Sequence, residues 1–418
     1  MSVIISHPTG NKNVRAVLEG LDSEGLLEEF HTTLLADAHS AWVKLLPASF
    51  RNEWLRKTYP VGSNKVITHP ALEIARMLFL KLGIKGPIRT EYGWASVDAV
   101  YHNLDTVVSK RISELKKQKD IKAVYAYEDG ALSTFKVAKK LGIKCIYDLP
   151  IAYWETSLKL LKEEANRLPQ WAATIGGGTT ASEAKLERKI QELELADTVV
   201  CPGTFVRNSI PIWALNKQII MSPFGSPQNV SKAPVSNERK GKPLRVLFAG
   251  SMGQRKGLGD LFAAFRLLNT DKVELVVMGS PLASMDFYKS EFNNFTYEPG
   301  RQHEKVLELM RSCDVLCLPS IVEGRALVMQ EAMSQGLPVL ITPNTGGEDL
   351  IIEGSTGFLV PIRSPEVIAE KISWLLDNRD SISEMGNMAR QHALSYTWEK
   401  YQQNIIQSLR SDFHFVYN

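Results

Sequence analysis

The residues best suited to chemistry lie in the stretch 319–333, where a predicted buried strand leads into a helix. Its two carboxylates, Glu323 and Glu331, are eight residues apart, a little over two helical turns, so both can face one ligand. Ligands of open α/β sheets bind at the carboxyl ends of strands. The backbone N–H groups from Gly324 to Leu327 are suited to receive a phosphate. The alternative is an ordinary strand–helix junction with one capping and one solvated glutamate.

A glycine-containing turn with two cations follows another predicted strand, at 250–257. Gly250 and Ser251 open this turn, and Arg255 and Lys256 close it at a predicted helix N-terminus. The turn lacks the Gly-Lys-Ser/Thr ending of a P-loop, and its glycines do not have the spacing of a dinucleotide-binding loop. Positive side chains and free N–H groups together suit a diphosphate. The alternative is a basic surface turn.

Two further groups of candidates follow strands of the first half. The turn at 6–13 contains Gly10 and His7, and His7 is either a base or hydroxyl ligand, or a structural histidine. Glu128 and Asp129 come directly after the apolar run 123–126. This charge pair either takes part in catalysis or is solvated or structural.

The elements that must position these turns form two series along the chain. Short β-branched runs that end at Gly or Pro alternate with segments of helical period. Fully apolar strands that alternate with helices indicate parallel sheets covered on both faces. Two such series indicate two doubly wound domains. We therefore predict an α/β fold with two Rossmann-like parallel-sheet domains.

Composition and periodicity predict the domain limits. The stretch 222–243 contains four prolines and has no convincing periodicity, which is typical of an exposed linker. Gly176, Gly177 and Gly178 interrupt a long helical stretch and predict a mobile connection. The last 25 residues have an apolar stripe that includes Trp398 and Leu409. The predicted units are a first domain at 1–222, a linker at 223–243, a second domain at 244–395 and a C-terminal helix at 396–418.

Composition excludes several classes of protein. The 418 residues are 44% hydrophobic and 23% charged, which is ordinary for a globular protein and unlike a disordered or collagen-like chain. No run approaches the ~18 apolar residues of a membrane span, and the first residues do not form a secretory signal. The four cysteines have neither Cys-x-x-Cys nor zinc-site spacing. We expect reduced thiols and a cytoplasmic protein.

The net charge of +3 is unevenly distributed. Residues 1–240 contain 32 Lys and Arg against 25 Asp and Glu, a balance of +7, and 44–144 is the most basic part. A solvated surface, an anionic acceptor or a membrane surface would each account for it. Nucleic acid is not expected, because no aromatic stacking motif accompanies the basic residues. Trp54 and Leu55 lead us to expect peripheral association with the inner face of a membrane.

Together these motifs resemble the retaining glycosyltransferases of the GT-B fold, specifically the large family 4. The resemblance covers most of 244–378. It rests on the Gly-x-x-x-x-x-Lys-Gly loop at 250–257, on the Glu-x7-Glu signature at 323–331, and on Gln-Gly-Leu-Pro-Val at 335–339. Thr-Gly-Gly at 345–347 and Gly-Ser-Thr-Gly-Phe-Leu-Val-Pro at 354–361 extend it. The resemblance implies a GT-B fold with an interdomain cleft and a C-terminal helix that crosses back.

The resemblance also implies roles for individual residues. Lys256 would neutralise the diphosphate leaving group, Glu323 would bind hydroxyls of the transferred sugar, and Glu331 would bind the ribose. Backbone groups around Ala326 and Leu327 would meet the phosphates, and Gly10 would let the first domain approach them. No Asp-x-Asp motif is present, so we expect no metal and no cofactor.

Three departures from the family pattern bear on these roles. Ser251 stands where the family has arginine, and Arg255 is a candidate to replace that charge. Arg325 and Ala326 stand where the family has Phe-Gly, so Arg325 adds a cation near the sugar and permits an acidic sugar. The family's catalytic histidine in the first domain has no clear counterpart, and Glu128 with Asp129 occupies a plausible place.

The resulting expectation is a hexosyltransferase that uses a UDP- or GDP-sugar as donor. The acceptor is a glycan, a lipid-linked molecule or a small molecule, bound on the side of the first domain. The alternatives are a nucleotide-sugar epimerase or phosphorylase and a non-catalytic sugar-binding relative on the same fold. A dehydrogenase is disfavoured, because no strand is followed by the dinucleotide glycine pattern.

Overall fold

A computed structural model describes residues 2–36, 51, 54–55, 57–176, 180–228 and 241–414. Several sequence predictions fall partly outside these residues. They include the linker at 223–243, the glycines at 176–178, the part of the basic region from 44 to 56, and the end of the C-terminal helix predicted at 396–418.

The first half of the chain forms a seven-stranded sheet in the order β3-β2-β1-β4-β5-β6-β7. Every neighbouring pair in it is parallel. In chain order the strands are β1 (Ser2–Ser6), β2 (Leu27–Thr32), β3 (Val66–Thr68), β4 (Ile121–Tyr127), β5 (Lys144–Asp148), β6 (Thr198–Cys201) and β7 (Gln218–Met221).

The second half repeats this plan in a six-stranded sheet with the order β10-β9-β8-β11-β12-β13, again parallel throughout. Its strands are β8 (Leu244–Ala249), β9 (Val273–Met278), β10 (Phe295–Glu298), β11 (Val315–Leu318), β12 (Val339–Ile341) and β13 (Gly357–Leu359). In both sheets the first strand of the series lies near the middle and the order reverses beside it. The carboxyl ends of strands at such a reversal form a crevice for ligands.

Helices connect the strands and cover both sheets. In the first half they are α1 (Lys12–Ser23), α2 (Ala71–Lys81), α3 (Val97–Leu115), α4 (Leu132–Lys140), α5 (Trp154–Arg167), α6 (Glu183–Leu195) and α7 (Thr204–Ser209). In the second half they are α8 (Leu258–Leu268), α9 (Met285–Glu291), α10 (His303–Arg311), α11 (Leu327–Ser334), α12 (Pro365–Asp377), α13 (Arg379–Leu394) and α14 (Trp398–His414).

The strands are apolar on both faces because helices lie on both sides of each sheet. Every residue of β6 and of β11 is buried, and so are the residues of β8 from Val246 to Ala249. This burial explains the near-continuous Val, Ile and Leu runs of the sequence. The predicted α/β fold with two Rossmann-like parallel-sheet domains, the GT-B architecture, is confirmed.

A segment of the first half packs against the core of the second sheet. Trp171 follows α5 in a 3₁₀ turn and belongs to the same apolar cluster as the strands β8–β13. Its indole N–H donates to Glu291 over 3.0 Å. The buried Glu164 of α5 accepts from Gln254 over 2.9 Å. The two halves are therefore interlocked by this segment as well as joined through 222–243.

The last helix, α14, lies on the first half. Its residues Tyr401, Ile405, Ile406 and Leu409 share an apolar cluster with α1 and β1. A Cβ on Gly20 of α1 would lie 2.5 Å from a methyl of Ile406, so the two helices approach closely. No helix among the described residues combines enough length with enough apolar character to cross a membrane.

Candidate functional site

A cavity of about 900 Å³ lies between the two sheets and is lined by both halves of the chain. We call it the large cavity. Its walls include the end of β8, the start of α11 and the start of α1, so three strand–helix junctions converge on it. The residues that line it are Asn11, Lys12, Asn13, Tyr127, Pro150, Phe224, Ala249, Gly250, Lys256, Met278, Arg301, His303, Val306, Glu323, Arg325, Ala326, Leu327, Val328, Glu331 and Trp398.

One wall is a charge cluster built around Glu323. The Lys256 ammonium contacts Oε1 of Glu323, and Nη1 of Arg255 donates to the same oxygen over 2.8 Å. Burial lowers the pKa of Lys256 below its ordinary value, although the Glu323 carboxylate opposes this shift. One carboxylate thus holds two cations at the edge of the large cavity, where an anionic ligand would meet them.

The turn at 254–257 is held against the 319–323 loop by its backbone. Gly257 has φ 75°, and a Cβ there would lie 2.0 Å from the carbonyl oxygen of Pro319. Only glycine allows this approach and this conformation together. The carbonyl of Arg255 also accepts from the N–H of Ile321 over 2.9 Å. These contacts fix the relative position of the two predicted ligand-binding motifs.

Glu331 also lines the large cavity and meets basic side chains from two elements. Its Oε1 is 3.9 Å from Nζ of Lys12 on α1 and 3.6 Å from Nδ1 of His303 on α10. Glu323 and Glu331 therefore face one cavity, as their spacing predicted. Glu331 lies on α11, which begins at Leu327, and no side chain caps the N-terminus of this helix. The N–H groups of its first two residues precede the i→i−4 hydrogen bonds and suit an anionic oxygen.

A second cavity of about 510 Å³ adjoins the first on the side of the first sheet, and we call it the small cavity. The two cavities share the lining residues Tyr127, Pro150, Glu323 and Arg325. The two halves of the chain approach closely here, because a Cβ on Gly324 would lie 1.6 Å from the carbonyl oxygen of Pro150. The other residues that line the small cavity are Thr90, Val97, Asp98, Tyr101, Glu128, Asp129, Ile151, Lys185 and Gly324.

Two lysines pair with the carboxylates that line the small cavity, and of these two only Lys185 is itself part of the lining. Lys185 lies 2.6 Å from Asp98 and 3.8 Å from Asp129. Lys189 lies 2.8 Å from Glu128 and 3.1 Å from Asp129. Burial, and then the neighbouring Asp129 and Glu128, raise the pKa of Tyr101, which also lines this cavity, to about 12. Three carboxylates thus share two ammonium groups, which leaves hydrogen-bond acceptors for a hydroxyl-bearing ligand.

Glu192 of α6 fixes the turn that carries Glu128 and Asp129 through hydrogen bonds to its backbone. The Glu192 carboxylate accepts from the N–H groups of Asp129, Ala131 and Leu132 over 2.9–3.1 Å. Burial raises the pKa of Glu192 to about 7. Asp129 has φ 69°, an uncommon value for a residue other than glycine. Such backbone strain persists only where surrounding contacts impose it, and it is concentrated at functional sites.

Arg325 is held by protein groups although it lines both cavities. Its side chain is fully buried, and Nη1 and Nη2 donate to the two carboxylate oxygens of Asp349 over 2.7 and 3.0 Å. It also donates to the carbonyl of Gly346 and to Gln330, and it lies over the ring of Tyr396. The expectation of a cation that faces an acidic sugar stays a prediction, and these contacts favour a structural role.

His7, Gly10 and Ser251 are placed differently from the other candidates. Nδ1 of His7 accepts from the N–H groups of Gly10 and Thr9 over 2.7 and 3.1 Å. Burial, and then Lys57, lower the pKa of His7 to about 3, so the ring is neutral. A Cβ on Gly10 would lie 2.2 Å from the ring of Tyr59. None of the three is among the described residues that line either cavity, and neither is Arg255, which is linked to the large cavity only through its contact with Glu323.

Sequence reasoning missed several residues that line the cavities. Asn11, Lys12 and Asn13 follow Gly10 where the β1–α1 turn leads into α1, so the position of that turn was the available signal. Asp98 and Lys185 are distant in sequence from every motif and come together only in the folded chain. Nowhere in the described parts of the chain do three or more His, Cys, Asp or Glu side chains group as a metal site requires.

Comparison with known proteins gives a family match for part of the chain. Residues 229–392 match the family model described as "Glycosyl transferases group 1". A D-inositol 3-phosphate glycosyltransferase of Paenarthrobacter aurescens is 29% identical over 42% of this chain and 48% of its own. The chain spans about half the length of the curated relatives it matches first.

Solved structures match the whole chain at low identity. Sucrose-phosphate synthase from Thermosynechococcus elongatus has a TM-score of 0.65 and 18% identity, with 99% of each chain covered. Anabaena HepE in complex with UDP has a TM-score of 0.63 and 16% identity, with 98% of this chain and 100% of that chain covered. At such identities the likeness shows the fold alone.

Proposed function

We propose that this chain is a retaining glycosyltransferase that moves one hexose from a UDP- or GDP-sugar to a hydroxyl group of an acceptor. The donor occupies the large cavity and the acceptor occupies the small cavity. The observation that carries this proposal is the seam of Tyr127, Pro150, Glu323 and Arg325, which lines both cavities. A sugar whose anomeric carbon lies at that seam can meet both the diphosphate in the large cavity and an acceptor hydroxyl in the small cavity.

The residues of the large cavity are suited to hold a nucleoside diphosphate. Lys256 lines the cavity and supplies positive charge, and Arg255 adds a second cation behind it through Glu323. The start of α11 supplies N–H groups. Glu331, with Lys12 and His303 beside it, is placed to bind ribose hydroxyls. The match of 229–392 to the glycosyl transferase family covers most of these residues. Because the similar HepE structure is a complex with UDP, UDP is the first nucleotide to test.

In the proposed reaction the bond between the sugar's anomeric carbon and the diphosphate oxygen breaks. The acceptor oxygen forms a new bond to that carbon, and its proton passes to the departing diphosphate. Negative charge grows on the diphosphate during this step, so preorganised donors such as Lys256 stabilise the transition state. Because protein cations are already present there, we propose that the reaction needs no metal and no cofactor.

Retention is proposed from the resemblance of the motifs in 244–378 to retaining glycosyltransferases. The carboxylates at and beside the seam are held by cations, which argues against a covalent intermediate on the protein. Glu323 binds Arg255 and Lys256, and Glu128 and Asp129 share Lys189. A carboxylate paired in this way is a poor nucleophile. We therefore propose that leaving group and acceptor use one face of the sugar, without a covalent protein intermediate. The acceptor stays open between a glycan, a lipid-linked molecule and a small molecule, and a cytoplasmic location stays a prediction.

The test is release of nucleoside diphosphate from a panel of UDP- and GDP-sugars, with and without candidate acceptors. We expect turnover of at least one donor and a loss of about 10²–10³-fold in Lys256→Met, as for removal of a transition-state donor. Lys289→Met, an exposed lysine of the same half, serves as the matched control. A donor panel that is neither bound nor turned over, or a Lys256→Met variant with unchanged turnover, would refute the proposal. Nuclear magnetic resonance of the product's anomeric configuration tests retention.

A further inference from the structure

An exposed apolar surface extends over α2 and the segment that follows it. Eight large apolar side chains between 74 and 97 are 44–72% exposed, about half of all such residues in the described parts of the chain. We call them the α2 patch. They are Ile74, Leu78, Leu80, Leu82, Ile84, Tyr92, Trp94 and Val97. Soluble proteins rarely expose contiguous apolar patches without an interaction partner.

The helix α2 presents its apolar residues to solvent rather than to the core. Glu73 is the one buried residue of α2, a helix that the structure describes in full. Its carboxylate accepts two hydrogen bonds from Arg76 over 2.7 and 2.8 Å. Ile74, Leu78 and Leu82 follow at intervals of four and share one face. A surface helix normally has the opposite arrangement, with its apolar stripe toward the core.

The patch is held by ordered backbone rather than by a loose loop. The rings of Phe79 on α2 and Trp94 pack edge to face with centroids 5.4 Å apart. The N–H of Ala95 donates to the carbonyl of Pro87 over 2.9 Å. A Cβ on Gly93 would lie 2.3 Å from that same carbonyl oxygen. The helix and the 86–97 turn therefore form one continuous surface.

Charge decides between the partners that such a surface fits. Lys81, Lys85 and Arg89 are exposed within it. Between Glu73 and Glu91 the chain has no acidic residue, and the Glu91 carboxylate accepts from the N–H of Ser182. A second copy of this chain, paired by twofold symmetry, would bring these cations together. An anionic lipid surface complements both the charge and the apolar side chains.

We propose that the α2 patch docks on the surface of an anionic lipid bilayer. Val97 of the patch and Thr90 beside Arg89 also line the small cavity. Docking therefore places the mouth of that cavity next to the lipid headgroups. Of the patch residues only Val97 lines a cavity among the described residues, and the proposal stands independently of the transfer reaction.

The test is co-sedimentation of the full chain with vesicles of phosphatidylcholine that contain about 30% phosphatidylglycerol. Wild type is expected to pellet with these vesicles, and binding to pure phosphatidylcholine is expected to be weaker. Leu78→Ser with Leu82→Ser should lower the partition coefficient at least about tenfold. Lys85→Glu with Arg89→Glu should lower it by about 25-fold or more, since each cation contributes about fivefold.

Matched controls change the same chemistry elsewhere on the first half. Ile212→Ser with Leu215→Ser removes two exposed apolar residues, and Lys110→Glu with Lys117→Glu reverses two exposed cations. Both controls should bind vesicles like wild type. Thermal unfolding of every variant checks that it is folded.

Three results would overturn the proposal. They are wild type that stays in the supernatant with anionic vesicles, patch variants that bind like wild type, and a dimer in size exclusion that only the patch variants lose. Nucleotide binding, measured in the same samples, reports separately on the proposed transfer reaction. A chain that binds vesicles but no nucleotide would contradict that reaction and leave the docking surface intact.

Discussion

Replacing Arg325 with methionine separates two roles that this residue can have. As a donor-binding cation it would contact the sugar, and its loss would affect catalysis alone. As a structural residue it neutralises Asp349 and fixes Gly346 and Gln330. Methionine keeps the apolar stem but removes every hydrogen bond and the charge. The structure leads us to expect the second outcome.

The magnitude follows from burial of the pair. The Arg325 side chain is 0% exposed, whereas that of Asp349 is 39% exposed. Breaking a buried ion pair costs about 3–5 kcal/mol, and solvent around Asp349 places this case at about 3 kcal/mol. For a domain of roughly 150 residues, 1 kcal/mol lowers Tm by about 2–4 °C. We therefore expect a fall of about 6–12 °C in the transition of the second half.

The assay is calorimetry of wild type, Arg325→Met, Asp349→Asn and the double variant, with donor KM measured on the same samples. The two single variants should destabilise non-additively, because each removes the same pair. Arg301→Met, which changes another arginine that lines the large cavity, is the control for loss of charge. An unchanged Tm in Arg325→Met together with a donor KM raised tenfold or more would refute this reasoning and restore the donor contact.

Three further predictions concern other groups. Burial raises the pKa of Asp148 to about 7, so the folded chain holds a proton that the unfolded chain loses above about pH 4. The stability that this group contributes therefore falls as pH rises from about 4 to 7. Asp148→Asn should stabilise the protein at pH 8 by roughly 2–4 kcal/mol. Urea unfolding of wild type and variant at about pH 4 and at pH 8 measures both effects. Glu192→Gln cannot accept from all three N–H groups of Asp129, Ala131 and Leu132. It should raise acceptor KM at least about tenfold and leave nucleotide affinity unchanged by calorimetry. Turnover should be unchanged in excess EDTA, and a loss that Mg²⁺ or Mn²⁺ restores would contradict metal independence.

Much of the fold was predictable because burial on both faces of a parallel sheet leaves continuous apolar runs in the sequence. β10 was not predicted because it is an edge strand, in which the polar residues Thr296 and Glu298 alternate with aromatic residues. The sequence also does not reveal that Trp171 packs into the core of the second half. An apolar residue signals that it is buried, but not which of two cores buries it.

The candidate site was predictable where its residues are neighbours in sequence. Lys256 and Glu323 lie in turns that follow strands, and parallel strands bring such turns to one edge. Arg325 shows where this reasoning stops, because its partner Asp349 is 24 residues away and the sequence does not reveal the pair. Lys185 and Asp98 are 87 residues apart and illustrate the same limit in the small cavity. Exposure of the α2 patch was also hidden, since its apolar spacing alone predicts a buried helix.

The central claim is that a nucleoside diphosphate binds in the large cavity with its phosphates between Lys256 and the start of α11. The most direct measurement is a crystal structure of the chain with UDP and, separately, with GDP. We predict phosphate density within hydrogen-bond distance of Nζ of Lys256 and of the N–H groups of Leu327 and Val328, with the ribose against Glu331. Density for the nucleotide at another site, or a cavity that stays empty at saturating concentrations of both nucleotides, would contradict the claim.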